Sequence, residues 1–122
     1  MPVRCLIVDD SPPFLEAAAA LLEREGLEVV GLVSNSADAL AKTKELRPDV
    51  VLVDIMLGPE SGFDLARHLD AAGTDASVIL ISTHAQSDFE DLLDVTPSAG
   101  FVPKSELSAA VIERLASAPR DT

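Results

Sequence analysis

The stretch Val50, Val51, Leu52, Val53, Asp54 limits the possible folds more than any other part of the chain. Four branched aliphatic residues stand in a row with no polar alternation. A strand of that kind is buried on both faces, as in the middle of a parallel sheet covered by helices. The run ends on a carboxylate and passes into Ile55, Met56, Leu57, Gly58 and Pro59, a loop with turn punctuation. In open parallel sheets the chemistry lies beyond the carboxyl ends of the strands, so Asp54 stands where a reactive group is expected.

The rest of the chain supplies neighbours for that strand. Val3 to Val8 reads as a first strand that stops at Asp9 and Asp10. Ser11 is expected to cap a helix, with Pro12 and Pro13 in its first turn. Phe14, Ala18, Leu21 and Leu22 recur at helical spacing, and Gly26 stops that helix. Leu27 to Val33 reads as a second strand. Ser36 is expected to cap a second helix through Leu46, with Ala37, Leu40 and Ala41 facing in and Pro48 ending it. Beyond the central strand, Phe63, Leu65, Ala66 and Leu69 mark a third helix closed by Gly73.

Ser77 to Ile81 is again apolar without alternation and ends at Ser82 and Thr83. A short segment follows, with Phe89, Leu92 and Leu93 on one face, and Pro97 terminates it. Gly100 to Pro103 reads as a fifth strand that delivers Lys104. Ser105 is expected to cap a last helix with Leu107, Val111, Ile112 and Leu115 inward, and the polar tail 118–122 is expected to fray. Strand and helix alternate five times. The expected fold is α/β, a doubly wound five-stranded parallel sheet with five helices in one domain spanning residues 1–122.

Composition narrows the function classes. The formal net charge is −12, so the chain should repel phosphate backbones, and direct binding of nucleic acid is not expected. The one cysteine, Cys5, lies within the apolar first strand, which allows no internal disulfide and reads as a small buried hydrophobe. The N-terminal apolar run is too short for a signal peptide or a membrane span, so a cytoplasmic protein without a membrane partner is expected.

In a parallel sheet all strand ends point the same way. Asp9 and Asp10 from the first strand, Asp54 from the third, Ser82 and Thr83 from the fourth and Lys104 from the fifth therefore converge on one rim. Three carboxylates in close company repel, and one lysine offsets a single charge. One divalent cation would bring the formal sum to zero. Oxygen ligands alone suit Mg²⁺ or Mn²⁺ better than zinc. Such an ion commonly works on a phosphoryl group, and a free carboxylate beside it makes an acyl phosphate chemically reasonable.

The residues at these strand ends resemble those of receiver domains of two-component response regulators. The resemblance rests on Leu6 to Asp10, on Val51 to Asp54 with Gly58 and Gly62 after it, on the Ser82–Thr83 pair, and on Gly100 to Lys104. It covers essentially the whole chain and implies the flavodoxin-like strand order 2-1-3-4-5. It implies that Asp54 accepts a phosphoryl group from a phosphohistidine of a sensor histidine kinase or a histidine phosphotransfer protein. Asp10, Asp54 and the backbone carbonyl of Met56 would ligate Mg²⁺, with Asp9 helping through water.

Lys104 would pair with the phosphoryl group, Ser82 would move to hydrogen-bond it, with Thr83 able to share that role, and Phe101 would swing inward. The surface of the fourth helix, fifth strand and fifth helix would change for a downstream protein or an attached output domain, and a homodimer is a further candidate partner. Many members carry Pro after the active-site lysine, whereas Ser105 stands there in this chain.

The alternative is a small phosphatase or phosphotransferase with an aspartyl-phosphate intermediate. It lacks a second acid two residues after Asp54, where Met56 stands. A flavin-binding electron carrier of similar topology would need a phosphate cradle after the first strand, where Asp9 and Asp10 would repel the ligand. The signalling reading therefore leads, with the chain catalysing its own phosphorylation and dephosphorylation rather than acting as an enzyme on a separate substrate.

Overall fold

The computed structural model describes residues 2–117. The expected frayed tail, 118–122, lies outside them. Five strands, β1 (Arg4–Val8), β2 (Glu28–Val33), β3 (Val50–Asp54), β4 (Ser77–Ser82) and β5 (Gly100–Pro103), form a parallel sheet in the order β2-β1-β3-β4-β5. Five helices connect and cover them: α1 (Pro12–Arg24), α2 (Ser36–Leu46), α3 (Gly62–Ala71), α4 (Glu90–Asp94) and α5 (Ala109–Ser117). The expected fold class and strand order are both present.

The unalternating strands feed two cores. Cys5, Ile7, Val50, Leu52, Ile79 and Ile81 pack with Leu15, Ala18 and Leu22 of α1 and Ile112 of α5. The intervening residues, Leu6, Val8, Val51, Val53, Val78 and Leu80, pack on the opposite face with Leu65, Ala66 and Leu69 of α3 and Ala39 of α2. A side-chain period of two thus splits each apolar run between two helical layers. Cys5 is fully buried, and burial pushes its thiol up to about 12. The thiolate that would react is therefore absent near neutrality. Native protein at pH 8 is expected to resist alkylation for hours, and to take one label promptly in denaturant. Rapid labelling of the folded chain would contradict the buried placement.

Several local expectations need correction. Asn35, not Ser36, caps α2: its Oδ1 accepts the Asp38 N–H at 2.8 Å, while the Ser36 N–H is engaged by Glu60 Oε1 at 3.0 Å. The inner face of α2 is Ala39 and Thr43 with Leu40 half-buried, and Ala37 and Ala41 face out. Thr43 is tolerated inside because its hydroxyl donates to the Ala39 carbonyl at 2.6 Å. In α1 the buried residues are Leu15, Ala18 and Leu22, whereas Phe14 and Leu21 are only half-buried.

Ser105 does not cap the last helix. Lys104–Glu106 forms a 3₁₀ turn, Leu107 lies before the helix, and Ser108 Oγ accepts the Val111 N–H at 3.2 Å. The loop after Asp54 contains an antiparallel hairpin, Met56–Leu57 with Glu60–Ser61, turned at Gly58 with a φ of 63°.

The fourth helix is shorter than the two turns expected between Ser87 and Val95. A 3₁₀ turn at Gln86–Asp88 precedes five α-helical residues, and no side chain caps either piece. Its anchors are the half-buried Phe89 and Leu93, while Leu92 and Val95 are exposed. So short a helix draws its stability from packing, and little packing is present. Backbone amides of residues 86–95 are expected to exchange with solvent at least tenfold faster than those of α1. Equal protection would remove the argument.

Candidate metal centre

Register brings the acidic strand ends together. Val8 lies opposite Val53, so Asp9 and Asp54 follow on neighbouring strands, and Asp54 in turn lies opposite Ile81. By the pleat, both carboxylates leave the sheet on the α1/α5 side. Asp9 is fully buried and Asp54 is 6% exposed, whereas Asp10 is exposed. One carboxylate oxygen from each of Asp9, Asp10 and Asp54 lies within 4.8 Å of the other two.

Lys104 closes the group. Its Nζ lies 2.6 Å from Asp9 Oδ2 and 3.3 Å from Asp54 Oδ2. Asp9 Oδ1 accepts the Ser11 N–H at 2.8 Å, but Asp9 Oδ2 accepts no directed hydrogen bond, despite its close approach to the ammonium. Asp54 Oδ1 accepts the Met56 N–H at 3.2 Å. Burial pushes the Asp54 carboxyl above its ordinary value. The Met56 N–H pulls it back, the charge of Asp9 pushes it further up, and Lys104 pulls it down. Three clustered carboxylates against one ammonium form an all-oxygen site that fits a hard divalent cation.

The hydroxyls separate. Ser82 is buried and its Oγ accepts the His84 N–H at 3.0 Å, while Thr83 faces solvent. By the pleat Ser82 shares the α2/α3 side with Leu80, as does Phe101, which is half-buried against that core. Phe89 stands between Phe101 and Phe63, at centroid distances of 6.3 and 5.9 Å. Met56 is 57% exposed beside the carboxylates.

Two features escaped the sequence. Gly62 approaches the end of β3 so closely that an added Cβ would lie 2.1 Å from the Asp54 carbonyl oxygen. Phe14, whose spacing marked it only as part of a helix stripe, lies under Lys104, with Nζ 4.1 Å from the ring centroid. An aromatic four residues beyond an acidic pair was the available signal, but nothing in the sequence brings Phe14 to Lys104.

Comparison with known proteins agrees with this geometry. The family described as response regulator receiver domain matches residues 5–116. Among curated relatives, the DNA-binding response regulator MtrA of Mycolicibacterium smegmatis is 36% identical over 93 residues, which are 76% of this chain and 39% of that protein. Protein PilH of Pseudomonas aeruginosa is 39% identical over 85 residues, 68% of this chain and 69% of that protein. The chain spans between 23% and 49% of several other relatives it matches. Among solved structures, a two-component response regulator of the LuxR family from Aurantimonas sp. SI85-9A1 superposes with a TM-score of 0.84 at 27% identity, covering 95% of this chain and 86% of that one.

Proposed function

This chain belongs to the response regulator receiver domain family, and on that premise we propose that Asp54 accepts a phosphoryl group in a Mg²⁺-dependent reaction. Receiver domains are signalling modules rather than classical enzymes. The observation that carries the proposal is the convergence of Asp9, Asp10 and Asp54 beside a single lysine.

The donor is a phosphohistidine of a sensor kinase or histidine phosphotransfer protein. Asp54 Oδ attacks phosphorus, an O–P bond forms as the N–P bond breaks, and the electron pair remains on the imidazole nitrogen. Asp10, Asp54 and the Met56 carbonyl would hold Mg²⁺ or Mn²⁺, with Asp9 acting through water. Bound there, the ion would offset negative charge on the phosphoryl oxygens. Lys104, already 3.3 Å from Asp54, supplies a positive charge to the same oxygens. Ser82 is the better placed of the two hydroxyls, since Thr83 faces solvent. To reach the phosphoryl group it gives up the contact with His84. Phe101 follows into the space beside Ser82, and its motion disturbs Phe89 and the weakly held α4 surface.

The relative MtrA is by name a DNA-binding response regulator. One setting for this chain is therefore the receiver portion of a longer regulator, and the other is a receiver that acts through a separate partner protein or a second copy. Either would work in the cytoplasm. Among the described residues no helix is long and apolar enough to cross a membrane.

The test is incubation with Mg²⁺ and a small phosphodonor, followed by intact mass. A phosphoryl adduct is expected that disappears in Asp54→Asn and in excess chelator. Failure with several donors and a cognate kinase, or an adduct that persists in Asp54→Asn, would overturn the assignment.

A further inference from the structure

We propose that Phe14 is a positioning residue for Lys104, a role that rests on the phosphoryl-acceptor reading above. The Lys104 ammonium meets two carboxylates, Asp9 at 2.6 Å and Asp54 at 3.3 Å. It also meets the Phe14 ring, with 4.1 Å to the centroid. That distance lies well within the reach of a cation–π contact, and the lysine side chain is only 14% exposed, so water weakens the contact little.

The ring is itself fixed. Phe14 packs against the α1/α5 core, and its N–H is capped by Ser11 Oγ at 3.4 Å. The same Ser11 donates its N–H to Asp9 Oδ1, so one short segment holds both the aromatic face and one of the carboxylates that Lys104 contacts.

The consequence concerns direction. A lysine has a flexible four-carbon stem and a compact, strongly hydrated charge, so its ammonium drifts toward water unless its contacts hold it. Phe14 gives the ammonium a weakly attractive, non-titrating surface to rest on. It offers no hydrogen-bond acceptor that competes with the phosphoryl oxygens. The ammonium is thereby kept aimed at the carboxylate edge where charge arrives. A carboxylate in place of the ring would pair with the lysine and draw it away. An aliphatic side chain would fill the volume without attracting the charge.

The experiment compares the full chain with Phe14→Leu and Phe14→Tyr. In one arm, phosphoryl incorporation from a small phosphodonor in Mg²⁺ is resolved into maximal rate and donor KM. Phe14→Leu is expected to lower the maximal rate about three- to tenfold with little change in KM, the span a shielded cation–π contact carries, and Phe14→Tyr to restore it to within about twofold. In the other arm, proton exchange of the Lys104 ammonium is read from its ¹⁵Nζ resonance in the unphosphorylated protein. It should speed up at least threefold in Phe14→Leu and remain slow in Phe14→Tyr.

Equal rate losses in both variants would assign Phe14 to packing alone and overturn the proposal. So would unchanged ammonium exchange in Phe14→Leu. If the unmodified chain takes no phosphoryl group from several donors and a cognate kinase, the acceptor reading falls, and the ammonium arm alone decides whether the ring holds the lysine.

Discussion

Gly62→Ala is expected to destabilise the chain by about 3 kcal/mol or more, enough to lower its melting temperature by about 10 °C or more. Alanine in place of glycine within a helix ordinarily helps, by up to about 1 kcal/mol. Here the sign reverses, because the new Cβ would lie 2.1 Å from the Asp54 carbonyl oxygen and 2.8 Å from the Ile55 Cα. Both are backbone atoms, so no rotamer change relieves the contact. The Gly62 N–H also donates to the Ile55 carbonyl at 2.7 Å, which ties the start of α3 to the end of β3. Moving one moves the other, and with it Asp54. Thermal unfolding of Gly62→Ala beside Gly26→Ala separates the causes. At Gly26 nothing lies within 4 Å of the added Cβ and only its positive φ is strained, so a loss nearer 1 kcal/mol is expected. Equal losses at the two positions would contradict the clash.

Lys104→Met is the second large effect. Methionine keeps the length of the stem, so the change removes the charge and its contacts. It leaves Asp9 and Asp54 buried with no cation beside them, and breaking a buried pair in this way costs about 3–5 kcal/mol. The loss should be fullest in chelator near neutral pH. Magnesium in large excess should narrow it, because a pocket without the lysine gains more from the ion than the unmodified chain does.

The pH dependence has a defined sign. Burial raises the folded Asp54 carboxyl above its unfolded value, so at a pH between the two the folded chain retains a proton that the unfolded chain has released. Stability from this group is present below the unfolded value and falls as pH rises through the folded one. Lys104 pulls the Asp54 carboxyl down, so its removal widens that interval, and the variant should lie closer to the unmodified chain at pH 5 than at pH 7.5. Urea titrations in chelator and in Mg²⁺ at both pH values decide this. A gap indifferent to Mg²⁺ and to pH would show that Lys104 is not the counter-charge of the pocket.

What was legible in the sequence follows from how far each signal reaches. Apolar runs without alternation report burial on both faces, and β1, β3 and β4 obey them. A carboxylate after such a run reports a strand end, which located Asp9 and Asp54. Caps are decided by a single dihedral angle. Asn35 and Ser36 are both good caps, and the extended backbone of Asn35 selects it. Ser105 lost to Ser108 because the chain first makes a 3₁₀ turn after Lys104.

The hairpin at Met56–Ser61 has strands of two residues, too short for any period to register. The Phe14–Lys104 contact joins α1 to the end of β5, and the tightness at Gly62 depends on how α3 leaves the sheet. Neither leaves a periodic trace. The sequence therefore specified the carboxylates and the lysine, while their supports became visible only in three dimensions.

The splitting of each inner strand between two aliphatic layers has a broader effect. Over most of its area the sheet acts as a partition, so resizing a side chain in one compartment should go unnoticed in the other. Asp9 and Asp54 issue from one compartment, Ser82 and Phe101 from the other. Along the carboxyl rim the two halves share a junction. A phosphoryl group bound there would be in contact with both, which gives a signal arriving on the α1 side a short route to the α4 side.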